Sequence, residues 1–255
     1  MSNSNNINYE RAEDLKRLDF IQNNLDKLGN RKLRVLDVGC GNGNISRYIG
    51  SKGHDVLGID ISEATIKKAI SLTDMTNVRF KNIAAEELIA ASEFFDLVIC
   101  SEVIEHLDTP SVVVDALRLL INKNGILIVT VPNGFGPREL FITKPLQWMK
   151  SKTPSVYGAV NSFKKALGFS GATVQSDAEN LTHVQFFTKQ SLINLISKNE
   201  LKLIQFGTSN FIEGVFPYSL LAKRSNKLQS LDCWMADQLP DQMASGFMSA
   251  WQINK

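Results

Sequence analysis

Apolar residues return along this chain at two different spacings, and the alternation between them predicts its architecture. Over residues 9–28, Leu15, Leu18, Ile21, Leu25 and Leu28 recur at helical intervals with charges between them, and Gly29 ends the run. Short continuous apolar runs then predict strands at 33–38, 55–60, 78–81, 96–101 and 125–131. Amphipathic stretches at 44–52, 62–72, 85–92 and 111–122 predict helices between them. Strands alternating with helices imply a parallel sheet covered on both faces. The fifth run, Ile126-Leu127-Ile128-Val129-Thr130-Val131, is entered through a Lys123-Asn124-Gly125 turn, and its unbroken apolarity fits a buried central strand.

After Pro132-Asn133-Gly134 the pattern dissolves until about residue 182. It resumes with a helix at 188–199 and strands near 202–207 and 215–222, and residues 225–255, with Trp234 and Trp251, read as weakly helical. The organisation expected is an N-terminal helical lid (1–30), a Rossmann-like ligand-binding core (31–132), a cap inserted at 133–182, the remainder of the core sheet (183–224) and a C-terminal helical extension (225–255).

Bulk properties narrow the class. A chain of 255 residues that is 44% hydrophobic and 21% charged suits one sizeable α/β domain with additions. With 28 basic and 26 acidic residues the net charge is +2, which argues against a global field for nucleic acid. No apolar run is long enough to span a membrane, and the polar start Met1-Ser2-Asn3-Ser4 lacks the apolar core of a signal peptide. Cys40, Cys100 and Cys233 lie far apart without metal-type spacing, so reduced thiols and a cytoplasmic location are expected.

The chemistry concentrates in three stretches. In Val35-Leu36-Asp37-Val38-Gly39-Cys40-Gly41-Asn42-Gly43 an apolar strand ends in an acid and then in glycines at every second position. Such glycines let the main chain approach a ligand closely. A dinucleotide fingerprint wants its third glycine where this chain has Asn44, so a pyrophosphate cradle fits poorly. The second stretch, Asp55-Val56-Leu57-Gly58-Ile59-Asp60-Ile61-Ser62, ends a strand in a carboxylate able to accept both hydroxyls of a ribose, with Ile61 able to pack on an adenine. Asp60 could instead cap the helix that follows. The third is Phe95-Asp96-Leu97-Val98-Ile99-Cys100-Ser101-Glu102-Val103-Ile104-Glu105-His106-Leu107.

These stretches, with the Asn124-Gly125 turn, cover residues 33–131 in an order and spacing that resemble the class I S-adenosylmethionine (SAM) methyltransferases. The third stretch is similar to motif IV of their small-molecule branch, the ubiquinone O-methyltransferase-like group (methyltransferase type 11 or 23). The resemblance implies an α/β fold: a Rossmann-like, mostly parallel seven-stranded sheet whose last strand is antiparallel, with helices on both faces and a helical cap insertion. It also implies that Asp37, Gly39, Cys40, Gly41 and Gly43 line the methionine end of SAM, and that Asp60 and Ile61 hold ribose and adenine. Ala84, Ala85 and Glu86 would follow the adenine edge, and Ser101 and Val103 would lie beneath the sulfonium. Many relatives carry an acid for the adenine amino group where this chain has Ala84.

For catalysis, Glu102, Glu105 and His106 stand at i, i+3 and i+4 and converge if helical. In ubiquinone-type relatives such a trio could hold a divalent cation; alternatively it orients the active-site loop. His106 and His183 are candidate general bases, although His183 could be an ordinary loop residue. SAM is the implied cofactor, and no metal is assigned. The cap carries Arg138, Phe141, Trp148, Tyr157, Phe163 and Phe169 among Lys144, Lys150, Lys152, Lys164 and Lys165. It reads as a cover for an aromatic or anionic small-molecule acceptor, as a peripheral membrane contact, or as a solvated helical cap. The expected enzyme is a methyltransferase acting on a small molecule, with oxygen favoured over nitrogen as acceptor atom. An NAD(P)-dependent oxidoreductase and a non-catalytic SAM-binding protein are the alternatives. A nucleic-acid methyltransferase is disfavoured, because the fourth strand does not end in an Asn/Asp-Pro-Pro-Tyr type of motif.

Overall fold

Successive side chains of a strand point to opposite faces of its sheet, so a strand covered by helices on both sides must be apolar at every position. Strand β4 (Phe95–Ser101) is buried throughout, and its middle, Leu97-Val98-Ile99-Cys100, meets that demand. Leu97 and Ile99 enter one core, with Val35 of β1 (Arg34–Val38), Val56 of β2 (Asp55–Ile59) and Ile126 and Ile128 of β5 (Ile121–Pro132). Val98 and Cys100 enter the other, with Leu36, Leu57, Leu127 and Val129. The computed structural model describes residues 11–90, 92–153, 155, 158, 183–222 and 224–254. With β3 (Val78–Lys81), β6 (Leu201–Thr208) and β7 (Gly246–Ile253), the strands form one sheet of order β3-β2-β1-β4-β5-β7-β6. The five strands β3-β2-β1-β4-β5 are parallel, and β7 runs antiparallel to both β5 and β6.

On one face lie α1 (Ala12–Asp26) and α2 (Asn44–Ser51), which send Leu18, Ile21, Leu25, Ile45 and Ile49 into the core. Helices α5 (Pro110–Leu120) and α7 (Lys189–Ser197) cover the other, through Val114, Leu117, Leu192 and Ile196. The remaining helices are α3 (Glu63–Ser71), α4 (Ala85–Ala90), α6 (Lys144–Lys152), α8 (Tyr218–Ala222) and α9 (Asn226–Gln238). The described part of the expected N-terminal lid is therefore a layer of the fold. Its apolar stripe is also narrower than the sequence suggests: Leu15 is exposed, while Glu13, Asp14 and Arg17 are buried.

The C-terminal half departs most from expectation. The segment 215–222 is no strand; it contains α8, preceded by Pro217, which has no N–H to give a ladder. The strand that completes the sheet is β7, inside the stretch expected as a helical extension. Its side chains alternate between the cores, Phe247 and Trp251 in one and Met248 and Ala250 in the other. Buried Ser249 is satisfied by donating to the Val129 carbonyl and accepting from Trp251 Nε1, both at 2.9 Å. The turn expected at Lys123-Asn124-Gly125 is a register shift inside β5, which starts at Ile121. His54 is half-buried, and its Nδ1 accepts the Leu33 N–H at 3.2 Å.

Strand β7 lies between β5 and β6 with Trp251 wholly buried, so the fold depends on a residue near the end of the chain. Trp251→Ala is expected to cost about 3–5 kcal/mol of stability, measured by urea denaturation. An unchanged midpoint would show that β7 is dispensable.

Candidate active site

The cofactor-type residues all fall at the carboxyl-terminal ends of parallel strands, where β1 and β4 part and open α/β sheets bind their ligands. Gly39, Gly41 and Gly43 all have positive φ, at 65°, 54° and 75°. A Cβ on Gly39 would lie 2.3 Å from Val103 Cγ2, and one on Gly43 2.4 Å from Phe80 Cζ, so close packing as well as backbone angle demands glycine. The loop is fixed from outside. Asp60 accepts the Gly41 N–H at 3.1 Å through one carboxylate oxygen and the Ser62 N–H at 2.8 Å through the other. Ser62 itself caps α3, so the alternative capping role is not the one Asp60 takes. Arg47, buried on α2, donates to the Asn42 carbonyl at 2.6 Å and to Asn44 Oδ1 at 2.5 Å.

Asp37 is buried and accepts the Ser46 hydroxyl at 2.6 Å. Burial pushes its carboxyl up to about 7; the Ser46 bond opposes this and the Asp60 charge adds to it. The Cys40 thiol is buried and its pKa is pushed upward by burial, so this residue offers the site its backbone. Ile61 is 80% exposed beside the same rim, an unusual position for isoleucine. Ala85 is buried, and Ala84 and Glu86 are half-buried at the start of α4. Ser101 shares a 2.9 Å hydrogen bond with Thr130 Oγ1, which donates in turn to Glu102 Oε1 at 2.9 Å.

The expected convergence of Glu102 with Glu105 and His106 does not occur. Only a single 3-10 turn, Ile104–His106, follows β4, and Glu102 precedes it at φ 57°, a left-handed angle that breaks helical spacing. Its carboxylate turns toward Thr130 and lies 3.7 Å from Arg17 on α1. His183 stands in its place. Glu105, His106 and His183 bring one ligand-type atom each to within 4.8 Å of one another, and the two imidazole centroids are 5.1 Å apart. The loop carrying His183 is held because Val184 and Gln185 both donate to the Glu105 carbonyl at 2.9 Å.

A fourth member, Glu139, was not legible in the sequence. It sits fully buried in a π-helical turn (Glu139–Thr143) at the start of the cap, with Oε1 3.3 Å from His183 Nδ1 and accepting Thr143 Oγ1 at 3.0 Å. Burial raises the Glu105 carboxyl well above its usual range, and the nearby Glu102 charge adds to this. Arg17, Glu102, Thr130 and Arg138 line a narrow polar cleft beside the cluster's strand ends. Of the cap residues, Phe141 and Trp148 are exposed; Tyr157, Phe163, Phe169, Lys164 and Lys165 lie outside the described residues.

Known proteins resemble this chain. A family model described as a methyltransferase domain matches residues 8–205. The chain is 36% identical over 121 residues to the ubiquinone biosynthesis O-methyltransferase of Leptothrix cholodnii, covering 46% of this chain and 51% of that protein. It thus spans about half the length of the curated relative it matches. Among solved structures, the plantazolicin methyltransferase BamL in complex with a triazolic desmethylPZN analog and SAH is similar at a TM-score of 0.57 and 19% identity, over 95% of this chain and 85% of that one. The (4+2)-cyclase SpnF is similar at a TM-score of 0.57 and 12% identity, over 94% and 81%. These two likenesses show the fold alone, and a cyclase among them shows that the fold does not fix the chemistry.

The proton on Asp37 has a measurable consequence. The unfolded chain ionises this group near 3.8 and the folded one near 7, so between those values the folded state holds the extra proton. Its contribution to stability therefore falls as pH rises through that window and is level above it. Asp37→Asn is expected to remove a fall on the order of a few kcal/mol, so that the variant gains on the parent protein between about pH 4 and pH 7. Urea unfolding of both proteins across that range checks this; parallel curves would mean that Asp37 ionises normally.

Proposed function

This chain belongs to the class I S-adenosylmethionine-dependent methyltransferases, and we propose that it transfers the methyl group to a hydroxyl oxygen of a small-molecule acceptor. The observation that carries the choice of oxygen is the cluster of Glu105, His106, His183 and Glu139 next to the glycine loop. An alcohol or phenol must lose its proton during transfer, whereas an amine of suitable pKa, or an acidic carbon, needs less help from such a group. The curated relative named as an O-methyltransferase supports the same reading.

The residues fit S-adenosylmethionine. Asp60 uses one lone pair of each oxygen on backbone N–H groups and keeps others for a pair of ribose hydroxyls. Ile61 offers an exposed apolar surface to an adenine. Asp37 offers a carboxylate to the ammonium of the methionine portion, a partner that would offset its burial. When bound, the cofactor supplies a methyl on a positively charged sulfur, and departure of that sulfur as a neutral thioether needs no acid from the protein. What the chain contributes is alignment, which can account for ~7–11 kcal/mol of such a barrier. Ser101, tied through Thr130 to Glu102, and Val103, packed on Gly39, form a floor that does not yield. The imidazole–carboxylate cluster lowers the cost of removing the hydroxyl proton, a contribution of roughly 10²–10⁴-fold.

Isothermal titration with S-adenosylhomocysteine is expected to show micromolar binding and none of NADH. Asp60→Ala should weaken it by roughly 10–100-fold, the worth of hydrogen bonds to a charged group. Absence of binding by the parent chain would sink the methyltransferase reading. With a panel of hydroxylated and amine acceptors, mass spectrometry should find O-methyl products, and His183→Gln should lower kcat by about 10²-fold or more with little change in cofactor affinity. Exclusive N-methylation would overturn the assignment to oxygen.

A further inference from the structure

We propose that Arg138 selects the acceptor, and that the acceptor carries a carboxylate or phosphate group for this guanidinium to hold. Arg138 and Glu139 are consecutive residues at the entrance to the cap, and their surroundings differ. Glu139 is fully buried beside His183, whereas Arg138 is exposed and lines the cleft that also holds Glu13, Arg17, Glu102 and Thr130. Neighbouring Cα atoms are ~3.8 Å apart, so an anion at Arg138 and a hydroxyl at His183 fit on one small molecule. The role toward an acceptor rests on the methyl-transfer reading; the holding of an anion does not.

The charges around the cleft single out Arg138. Glu13 is met by Arg11 at 2.7 Å and by Arg17 at 3.6 Å. Glu102 takes the Thr130 hydroxyl at 2.9 Å and lies 3.7 Å from Arg17. The neighbouring acids Glu213 and Asp14 pair with Arg11 at 3.1 Å and with Arg17 at 3.8 Å. Arg138 adds its field to Glu13, but among the described residues it makes no hydrogen bond and no ion pair within 4 Å. A guanidinium presents a planar fork of donors that matches a carboxylate or a phosphate.

The guanidinium is also held in place. Its stem runs along Gly214, where a Cβ would lie 3.3 Å from Arg138 Cδ. The loop carrying Gly214 is fixed in turn, because buried Asp232 accepts the N–H groups of Phe211, Ile212 and Glu213 at 2.8, 3.0 and 3.1 Å. Ser209 and Asn210, which also line the cleft, are tied to the start of β7. Ser209 N–H donates to the Gly246 carbonyl at 3.0 Å, and Ser245 N–H to the Asn210 carbonyl at 2.7 Å. A donor fixed in this way loses little freedom when an anion arrives. Its surroundings favour that arrival: residues 135–153 carry four basic side chains, Arg138, Lys144, Lys150 and Lys152, and one acid, Glu139, which is buried. Such a local excess draws anions toward the cleft.

The test uses the full chain saturated with S-adenosylhomocysteine and two matched pairs of probes, benzoate with methyl benzoate and phenyl phosphate with phenol. By calorimetry, the anion of at least one pair is expected to bind about 10-fold tighter than its neutral partner or better, and that pair identifies the group held. Arg138→Met keeps a stem on Gly214 and removes the charge, so it should weaken the anion by roughly 10–100-fold. Arg138→Lys should retain part of the preference. S-adenosylhomocysteine affinity should stay as in the parent chain, which checks folding. In turnover, Arg138→Met should raise KM for acidic acceptors by a similar factor with kcat little changed, a split that a merely structural role would not produce. No binding by either anion, equal binding of anions and their neutral partners, or anion affinity unchanged in Arg138→Met would overturn the site. If the chain binds no S-adenosylhomocysteine, the methyl-transfer reading falls, while anion binding that the ligand-free chain loses in Arg138→Met would still uphold the site.

Discussion

The carbonyl oxygen of Glu105 accepts two main-chain N–H groups, from Val184 and Gln185, and this junction ties the return from the cap to the loop after β4. The geometry around it has little slack. Glu102 must take a left-handed angle so that the chain can leave β4 and turn at once into Ile104–His106. Glu102 N–H bonds the Thr130 carbonyl at 3.0 Å and its side chain takes the Thr130 hydroxyl, so the strained residue is gripped at both ends by β5. Ile104 is wholly buried in the core below. His106 and His183 therefore meet because the backbone leaves them no other place, and neither side chain has to find the other.

The same economy governs the glycine loop. Asp60 joins the loop after β1 to the start of α3 with two backbone bonds, and Arg47 closes it from the helix side through Asn42 and Asn44. Gly39 and Gly43 are then filled in from the protein side by Val103 and Phe80. The rim that would meet a ligand is thus shaped before any ligand arrives, which lowers the ordering cost of binding.

Much of this was legible in the sequence and some could not be. The parallel half announces itself because strands buried on both faces carry apolar runs, and because turns at strand ends need glycine or a carboxylate. The final strand hides because Gly246, Ser249 and Gln252 interrupt its apolar residues; Ser249 is tolerable only where Val129 and Trp251 stand ready to bond it. The helical reading of Glu102, Glu105 and His106 assumed regular spacing, and one positive φ undid it. Arg17 and Glu13 looked like the solvent face of α1, yet both are buried: Glu102 offers Arg17 a charge across the interface, and Glu13 pairs with Arg11 and Arg17 of its own segment. The pairing of Glu139 with His183 joins residues far apart in sequence, and no local pattern encodes it.

One electrostatic theme links the two halves of the site. Asp37 lies in β1 and Glu105 just beyond the adjoining β4, and burial lifts both carboxyls above their ordinary range. Elsewhere in the molecule buried or half-buried acids are met by arginines: Glu13 by Arg11 and Arg17, and Asp96 by Arg31. Burial alone would lift Glu13, but those charges hold it below its usual range, whereas burial keeps Glu213 above its own despite Arg11. Asp37 and Glu105 have no such ion pair from lysine or arginine within 4 Å among the described residues. Two acids are lifted in this way, one beside the glycine loop and one beside the histidines. Under the proposed function, an ammonium-bearing ligand would offset the burial of the first.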